Sequence, residues 1–313
     1  VTATPLGPGP EFDRIRAIAQ ALGGAAAGLG DDCAFLPGGW CASTDASIEG
    51  IHFRFDWLSA EEIGWRATMA ALSDLAAVGA EAEAVLVALA VRPGSPNDLP
   101  TRLMIGAGEA ANAVGARVVG GDLNAGPTTT LAVTVLGRAT RPIRRSGAAP
   151  GNELWVTGRL GGARAAWQAW EAGGAPSAEA RARFAHPIAR IAAGRRLATQ
   201  ATAMIDLSDG LAGDAGHLAS ASGVRVVVDL DRLPIDPAVT AGDPALAAAA
   251  GGEDYELLVA LPGQVGERLG PELKTALDLD LTRIGVVDSP SAGEVLFLRL
   301  GQPVSLEGFN HFR

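Results

Sequence analysis

Six aspartates stand where a carboxylate could meet a metal ion, each close to glycine, serine or a second aspartate. They are Asp32 in Gly30-Asp31-Asp32, Asp45 after Ser43-Thr44, Asp74 in Leu72-Ser73-Asp74-Leu75, Asp122 after Gly120-Gly121, and Asp206 and Asp209 in Asp206-Leu207-Ser208-Asp209-Gly210. Magnesium wants oxygen ligands in near-octahedral geometry and usually combines carboxylates with substrate phosphates. If these groups converge, they could hold magnesium against the phosphates of ATP. Asp beside Gly or Ser is also ordinary turn and cap chemistry. Taken singly, each aspartate reads that way, Asp31 and Asp98 most plainly. The Asp206–Gly210 stretch carries more weight: it ends an apolar strand and opens a helix, and ligands bind at strand ends in open α/β sheets.

Other polar groups leave two readings open. His52 lies between Ile51 and Phe53, and strand alternation points it opposite to both, into a cleft; a hydrogen-bonded structural histidine is the commoner fate. Arg145 could clamp a nucleotide phosphate as a planar fork, or solvate a linker. Glu253-Asp254-Tyr255-Glu256, after Gly251-Gly252, could be a polar substrate loop or a plain turn into a strand. His186 and His217 read as structural, and His311 is left open. The single lysine, Lys274, sits in no Gly-rich loop. That excludes the phosphate-loop and protein-kinase classes, which place a lysine on the phosphates or on a third strand. Metal ions and arginine must do that work if the chain handles ATP.

These groups need a scaffold. A chain of 313 residues suits two domains. Hydrophobic residues at 48% and charged residues at 19% mark it as globular. A formal charge of −10 argues against nucleic acid as a partner. Cys33 and Cys41 read as free thiols of a reducing cytosol, with a bridge between them as the alternative. Val1 to Pro10 has neither the basic residue nor the apolar core of a signal peptide, and the apolar run Ala84 to Val91 is far too short to span a bilayer. The expectation is a cytoplasmic protein without membrane segments.

The pattern predicts a helix over Glu11–Leu22 ended by Gly23-Gly24, strands over Cys33–Leu36, Trp40–Thr44 and Ile48–Phe55, and a capping box at Ser59–Glu62 opening a helix to about Val78. Asp74 falls near that helix's end. Strands follow over Ala82–Val91, Arg117–Gly121 (delivering Asp122) and Thr128–Gly137, with a helix over Asp98–Val114. Thr140–Gly151 reads as a linker carrying Arg144 and Arg145, which gives domains of 1–140 and 151–313. The second half predicts strands over Glu153–Thr157, Ala203–Leu207, Val224–Leu230, Tyr255–Leu261, Thr282–Val287 and Val295–Leu300. Its helices are expected over Ala163–Trp170, Pro187–Thr199 with Pro187 at its first position, Asp209 to about Ser220, and Ala238–Ala250.

Together, GLGDDCAFLP (28–37), STDASIEGIHF (43–53), LSDLAAVGA (72–80), VGGDLNAG (119–126), RSGAAPGN (145–152), IDLSDGLAGDAGHLA (205–219), GGEDYELL (251–258) and GFNHF (308–312) resemble the thiamine-monophosphate kinases. These belong to the superfamily of aminoimidazole ribonucleotide synthetase and selenophosphate synthetase. The resemblance covers nearly the whole chain. It implies a two-domain α/β (α+β) fold: an N-terminal sheet that joins a partner's sheet in a barrel-like homodimer, and a C-terminal mixed sheet flanked by helices. It implies phosphorylation of thiamine monophosphate to thiamine diphosphate with ATP and several magnesium ions. By the same resemblance Asp32, Ser43, Thr44, Asp45, Asp74, Asp122, Asp206 and Asp209 match metal-binding positions, with Asp45, Asp74 and Asp209 the catalytic ones. Gly121, Asp122, Arg145 and Ser208 match nucleotide contacts, and His52, Glu253 and Phe309 match substrate contacts. Ala71, Leu123 and Asn310 depart from the family's usual Asn, Thr and Asp. Another ATP-using synthetase of the superfamily, or a non-catalytic binder of nucleotide or thiamine phosphate, is the alternative.

Overall fold

The computed structural model describes residues 5–7, 9–26 and 28–308. The first half builds β1 (Ala34–Leu36), β2 (Trp40–Ile48), β3 (Glu81–Val91), β4 (Arg117–Ala125) and β5 (Thr130–Arg138), with helices α1 (Pro10–Leu22), α2 (Ala60–Ala77) and α3 (Leu99–Ala113). The strands form one sheet in the order β1-β2-β5-β3-β4. β3 and β4 run parallel, with α3 as their crossover, and the other pairs are antiparallel. Thr130–Arg138 alternates buried and half-buried side chains along β5, as expected of a strand that buries one face.

Helix α2 starts where the capping box places it: Glu62 N–H donates to Ser59 Oγ, and the Glu62 carboxylate accepts from Ser59 N–H at 2.8 Å. It is buried along nearly its whole length, between the sheet, α3 and elements of the second half. No stripe of polar residues breaks it, which fits a helix covered on every side.

The second half adds β6 (Glu153–Thr157), β7 (Ala203–Asp206), β8 (Val224–Asp229), β9 (Leu257–Leu261), β10 (Leu281–Pro290), β11 (Val295–Arg299) and β12 (Gln302–Val304). They form a mixed seven-stranded sheet, β12-β11-β8-β10-β6-β9-β7, in which β8 and β11 are parallel. Helices α4 (Gly162–Glu171), α5 (Ala178–Ala185), α6 (Ile191–Leu197), α7 (Leu211–Ser222), α8 (Pro244–Ala250) and α9 (Val265–Leu277) flank it.

Several expectations change. The expected strand over Ile48–Phe55 is a turn after Ile48: Gly50 takes φ +84°, and Ile51 and His52 donate backbone bonds to Ile48 O. β4 continues past Gly121 to Ala125. Pro187 does not open a helix; its carbonyl accepts from Trp65 Nε1 on α2, and α6 begins at Ile191. Helix α8 is confined to Pro244–Ala250, where Asp243 caps it. Helices α5 and α9 were not expected. Among the described residues no helix is long and apolar enough to cross a membrane.

Candidate active site

Three of the aspartates meet where the two halves touch. Asp32 arrives on the loop before β1, Asp74 on the last turns of α2, and Asp206 as the final residue of β7; their carboxylate oxygens lie within 4.8 Å of one another. Burial pushes Asp206 up to about 7, with the Asp32 charge adding to the shift and Ser73 and Arg145 opposing it. Asp74 is raised well above the usual carboxylate range, first by burial, then by Asp206 and Asp32. Like charges this close in low dielectric oppose one another's ionisation.

Two contacts set the trio's geometry. Ser43 Oγ on β2 donates to Asp74 Oδ2 at 2.5 Å. Arg145 donates from Nη2 and Nε to one oxygen of Asp32, at 2.8 and 3.1 Å. Burial works against the Arg145 charge, but Asp32 outweighs it and holds the guanidinium protonated well above its ordinary value. The other Asp32 oxygen, Oδ2, is buried with no hydrogen-bond partner among the described residues. A buried, orphaned carboxylate oxygen beside two more carboxylates fits a divalent cation with oxygen ligands. Asp31 does more than turn chemistry: its fully buried carboxylate accepts from Arg145 N–H at 3.1 Å, fixing the backbone that carries the guanidinium.

Next to the trio, Asp206 leads into Ser208 and Asp209. Asp209 N–H donates to Asp214 Oδ2 at 3.2 Å, and Asp209, Asp214 and His217 form a second group with possible ligand atoms within 4.8 Å. His217 packs against Phe12 with ring centroids 4.0 Å apart and the rings tilted by 31°, and burial, then Arg145, lowers its pKa to about 3. Asp45 on β2 interacts electrostatically with Asp74, Arg66 and Tyr255.

The Gly251-Gly252 pair explains how the second loop reaches Ser208. A Cβ on Gly252 would sit 2.6 Å from Ser208 O, and one on Gly210 (φ +93°) 2.5 Å from Gly251 O. The loop then pairs through Glu253 N–H to Ser208 O at 2.7 Å and Tyr255 N–H to Leu207 O at 2.9 Å. Its acids separate into distinct roles. Glu253 (φ +72°) lines a cleft with His52, Ser208, Asp209 and Trp167, and pairs with the buried Arg66 of α2. Asp254 turns away to accept from Gly161 N–H at 2.9 Å, and Glu256 is buried against Arg190 and Thr157. His52 reaches the cleft from its turn, with Nδ1 accepting from Ile48 N–H at 3.1 Å.

Three expected residues are not brought to the trio within one chain. Thr44 faces the opposite side of β2 from Ser43 and Asp45, with its hydroxyl 3.1 Å from Thr134 Oγ1. Register places Asp45 level with Val133, Val87 and Gly121 across the sheet, about 14 Å apart at three strand spacings. Asp122 points to the open face with Ala88. Gly121 has a packing reason of its own, since a Cβ there would meet Val87 O at 2.0 Å. Phe309 lies outside the described residues. The sequence reading missed Arg66, whose partner Glu253 is distant in the chain, and Asp214, which accepts from the backbone N–H of Asp209 five residues before it.

Comparison with known proteins identifies the family. Residues 30–139 match the family model "AIR synthase related protein, N-terminal domain", and residues 149–296 match "AIR synthase related protein, C-terminal domain". A thiamine-monophosphate kinase of Halobacterium salinarum is 36% identical over 302 residues, covering 95% of this chain and 99% of that protein. A solved structure of AaThiL complexed with AMPPCP and TMP is 30% identical, with a TM-score of 0.86 over 96% of this chain and 97% of that one. The crystal structure of thiamine monophosphate kinase from Aquifex aeolicus is 28% identical with a TM-score of 0.82, covering 94% and 97% of the two chains.

Proposed function

The chain belongs to the AIR synthase related family, and from that premise we propose that it transfers the terminal phosphoryl group of ATP to the phosphate of thiamine monophosphate, giving thiamine diphosphate. The observation that carries this reading is the Asp32–Asp74–Asp206 trio, three carboxylates with oxygens within 4.8 Å of one another, close in the chain to Ser208 and Asp209 of the cleft.

The acceptor is a phosphate monoester with a second pKa of about 6, so it is largely ionised at neutral pH. The chain therefore needs no general base to create the nucleophile. Its task is to bring two polyanions together, which is positioning and electrostatics. Magnesium bound by Asp32, Asp74 and Asp206, with Asp45, Asp209, Asp122, Ser43 and Thr44 as further candidate ligands, would supply the neutralising charge. The chain's own groups prepare that site: Ser43 holds Asp74, Arg145 holds Asp32, and Asp214 holds the backbone of Asp209. Arg145, Ser208 and Gly121 are proposed for the nucleotide, and His52, Glu253 and Phe309 for the thiamine half. The Arg66–Glu253 pair keeps Glu253 at the cleft wall.

The chain is further proposed to work in the cytoplasm, as two domains of 1–140 and 151–313, and as a homodimer. The dimer rests on β4, an edge strand whose Val119 and Leu123 are each 60% exposed; natural sheets rarely leave such an edge uncovered. The assay is direct. Purified protein is incubated with Mg-ATP and thiamine monophosphate, thiamine or other phosphate acceptors, and the phosphorylated product is identified by mass. Thiamine diphosphate from thiamine monophosphate, with thiamine itself unreactive, is expected. Transfer to thiamine at a comparable rate would sink the mechanism, which takes an already ionised phosphate as nucleophile, whereas an alcohol needs a general base.

A further inference from the structure

Cations near the cleft are already committed: Arg145 to Asp32, Arg66 to Glu253, Arg183 to Asp236 and Arg190 to Glu256. Arg164 is not. It stands in the first turn of α4, half-buried, lines the same cleft as His52 and Glu253, and has no ion pair or hydrogen bond among the described residues. Its stem is aimed by packing: a Cβ on Gly251 would lie 2.9 Å from Arg164 Cβ and 3.3 Å from Cγ. Glycine at 251 thus lets the side chain lie along the loop that presents Glu253.

The geometry points to Arg164 as the group that binds the phosphate of the acceptor substrate. This deepens the kinase reading and rests on it. A guanidinium is a planar fork matched to two phosphate oxygens, and the acceptor phosphate carries about −1.5 to −2 charge at pH 7. The thiazolium ring of the same substrate is cationic, so Arg164 repels it and orders the molecule end to end. Trp167 follows three residues later on the same face of α4 and also lines the cleft, offering an aromatic face to a cationic ring. One helix turn then reads both ends of the substrate, the phosphate through Arg164 and the ring through Trp167. The nucleotide phosphates fall instead to the side of the site held by Arg145.

The test compares wild type with Arg164→Gln and Arg164→Lys. Steady-state rates give KM for thiamine monophosphate and for Mg-ATP, and calorimetric titration gives affinities for thiamine monophosphate and thiamine. Loss of a charge-assisted pair predicts a KM for thiamine monophosphate about 10- to 100-fold higher in Arg164→Gln. The ratio of thiamine monophosphate to thiamine affinity falls by the same factor, while thiamine affinity and KM for Mg-ATP stay within about 2-fold. Arg164→Lys lies between, since a point charge replaces the fork. Melting curves check folding, and the affinity ratio is read on whichever variant melts as wild type does. If wild type turns over but the ratio is unchanged, or if KM for Mg-ATP rises equally, the assignment of Arg164 is overturned and the kinase reading stands. If wild type transfers nothing to thiamine monophosphate, the kinase reading fails, and the role of Arg164 fails with it.

Discussion

Asp74 sits close to Asp32 and Asp206, so its charge costs the folded protein stability unless a cation shares the site. Asp74→Asn keeps an acceptor for Ser43 and removes that charge. The metal-free variant should melt no lower than wild type at pH 8, lose the rise in melting temperature that magnesium gives, and turn over at least about 10²–10³ more slowly. An early melt with the magnesium response intact would make Asp74 a structural residue. Asp206 gives the pH dependence. Its folded pKa is about 7 against an ordinary 3.8, so between those values the folded chain holds a proton the unfolded chain has released. Its contribution to stability therefore falls as pH rises from about 4 to about 7. Magnesium competes with that proton, and the melting shift it produces should be larger at pH 8 than at pH 6. Equal shifts at both pH values would remove Asp206 from the cation site. The aspartates were legible in the sequence because carboxylates at element ends are visible one by one. Asp214, Arg66 and Arg164 were not, because their meaning lies in what faces them. Arg66, on a helix that reads as core, is explained by Glu253 far along the chain.

Helix α2 is the element that carries Asp74 inward, and its position is set by close crossings. A Cβ on Gly64 would meet Leu103 O at 1.9 Å, and one on Gly106 of α3 would meet Glu61 O at 1.8 Å. Two residues on, Gly108 has nothing within 4 Å. The pair separates helix propensity from packing. Gly108→Ala should stabilise by about 0.5–1 kcal/mol. Gly106→Ala gains the same propensity yet should destabilise by about 1–3 kcal/mol, because the helices must part. Denaturant melts of both variants test this; if Gly106→Ala also stabilises, the crossing is not tight and α2 is not held by it. The capping box and the strand-to-helix step at Asp206–Gly210 could be read directly, since both are local. The chain at Ile48–Phe55 could not: its apolar residues suggest a strand, while Gly50 at φ +84° folds it into a turn. Helix α9 was hidden by Gly266, Gly270 and Pro271, which look like turn residues, although Leu269 and Leu273 of the same helix are buried.

At the scale of the whole molecule, the first sheet has helices on one face only. Ser43, Asp45, Val133 and Val87 share the face toward α2, while Thr44, Ala46, Ala88 and Asp122 share the other, and all four of these are exposed. An architecture of packed layers needs a second layer there, and nothing among the described residues supplies it. Val119 and Leu123 on β4 add two exposed apolar side chains at the sheet's edge, Leu123 on the α2 side in line with Leu89 and Leu131. A second copy of the chain is the cover proposed here, by burial of this face and this edge. Burying a large apolar side chain is worth about 1.5–3 kcal/mol, so Val119→Glu with Leu123→Glu should weaken dimerisation by on the order of 10²–10³-fold or more. Sedimentation velocity across a concentration series reads that directly. The functional consequence follows from the register. Gly121 and Asp122 stand three strands from Asp45 in one chain, so a site that includes them is completed only by an approach from outside it. The monomeric variant should keep the melting shift that magnesium produces at Asp32, Asp74 and Asp206, because those residues share a chain, and should lose turnover. If the wild-type protein sediments as a monomer at micromolar concentration and still turns over, Asp122 and Gly121 have no part in the chemistry, and the trio with Asp45 and Asp209 is the whole cation site.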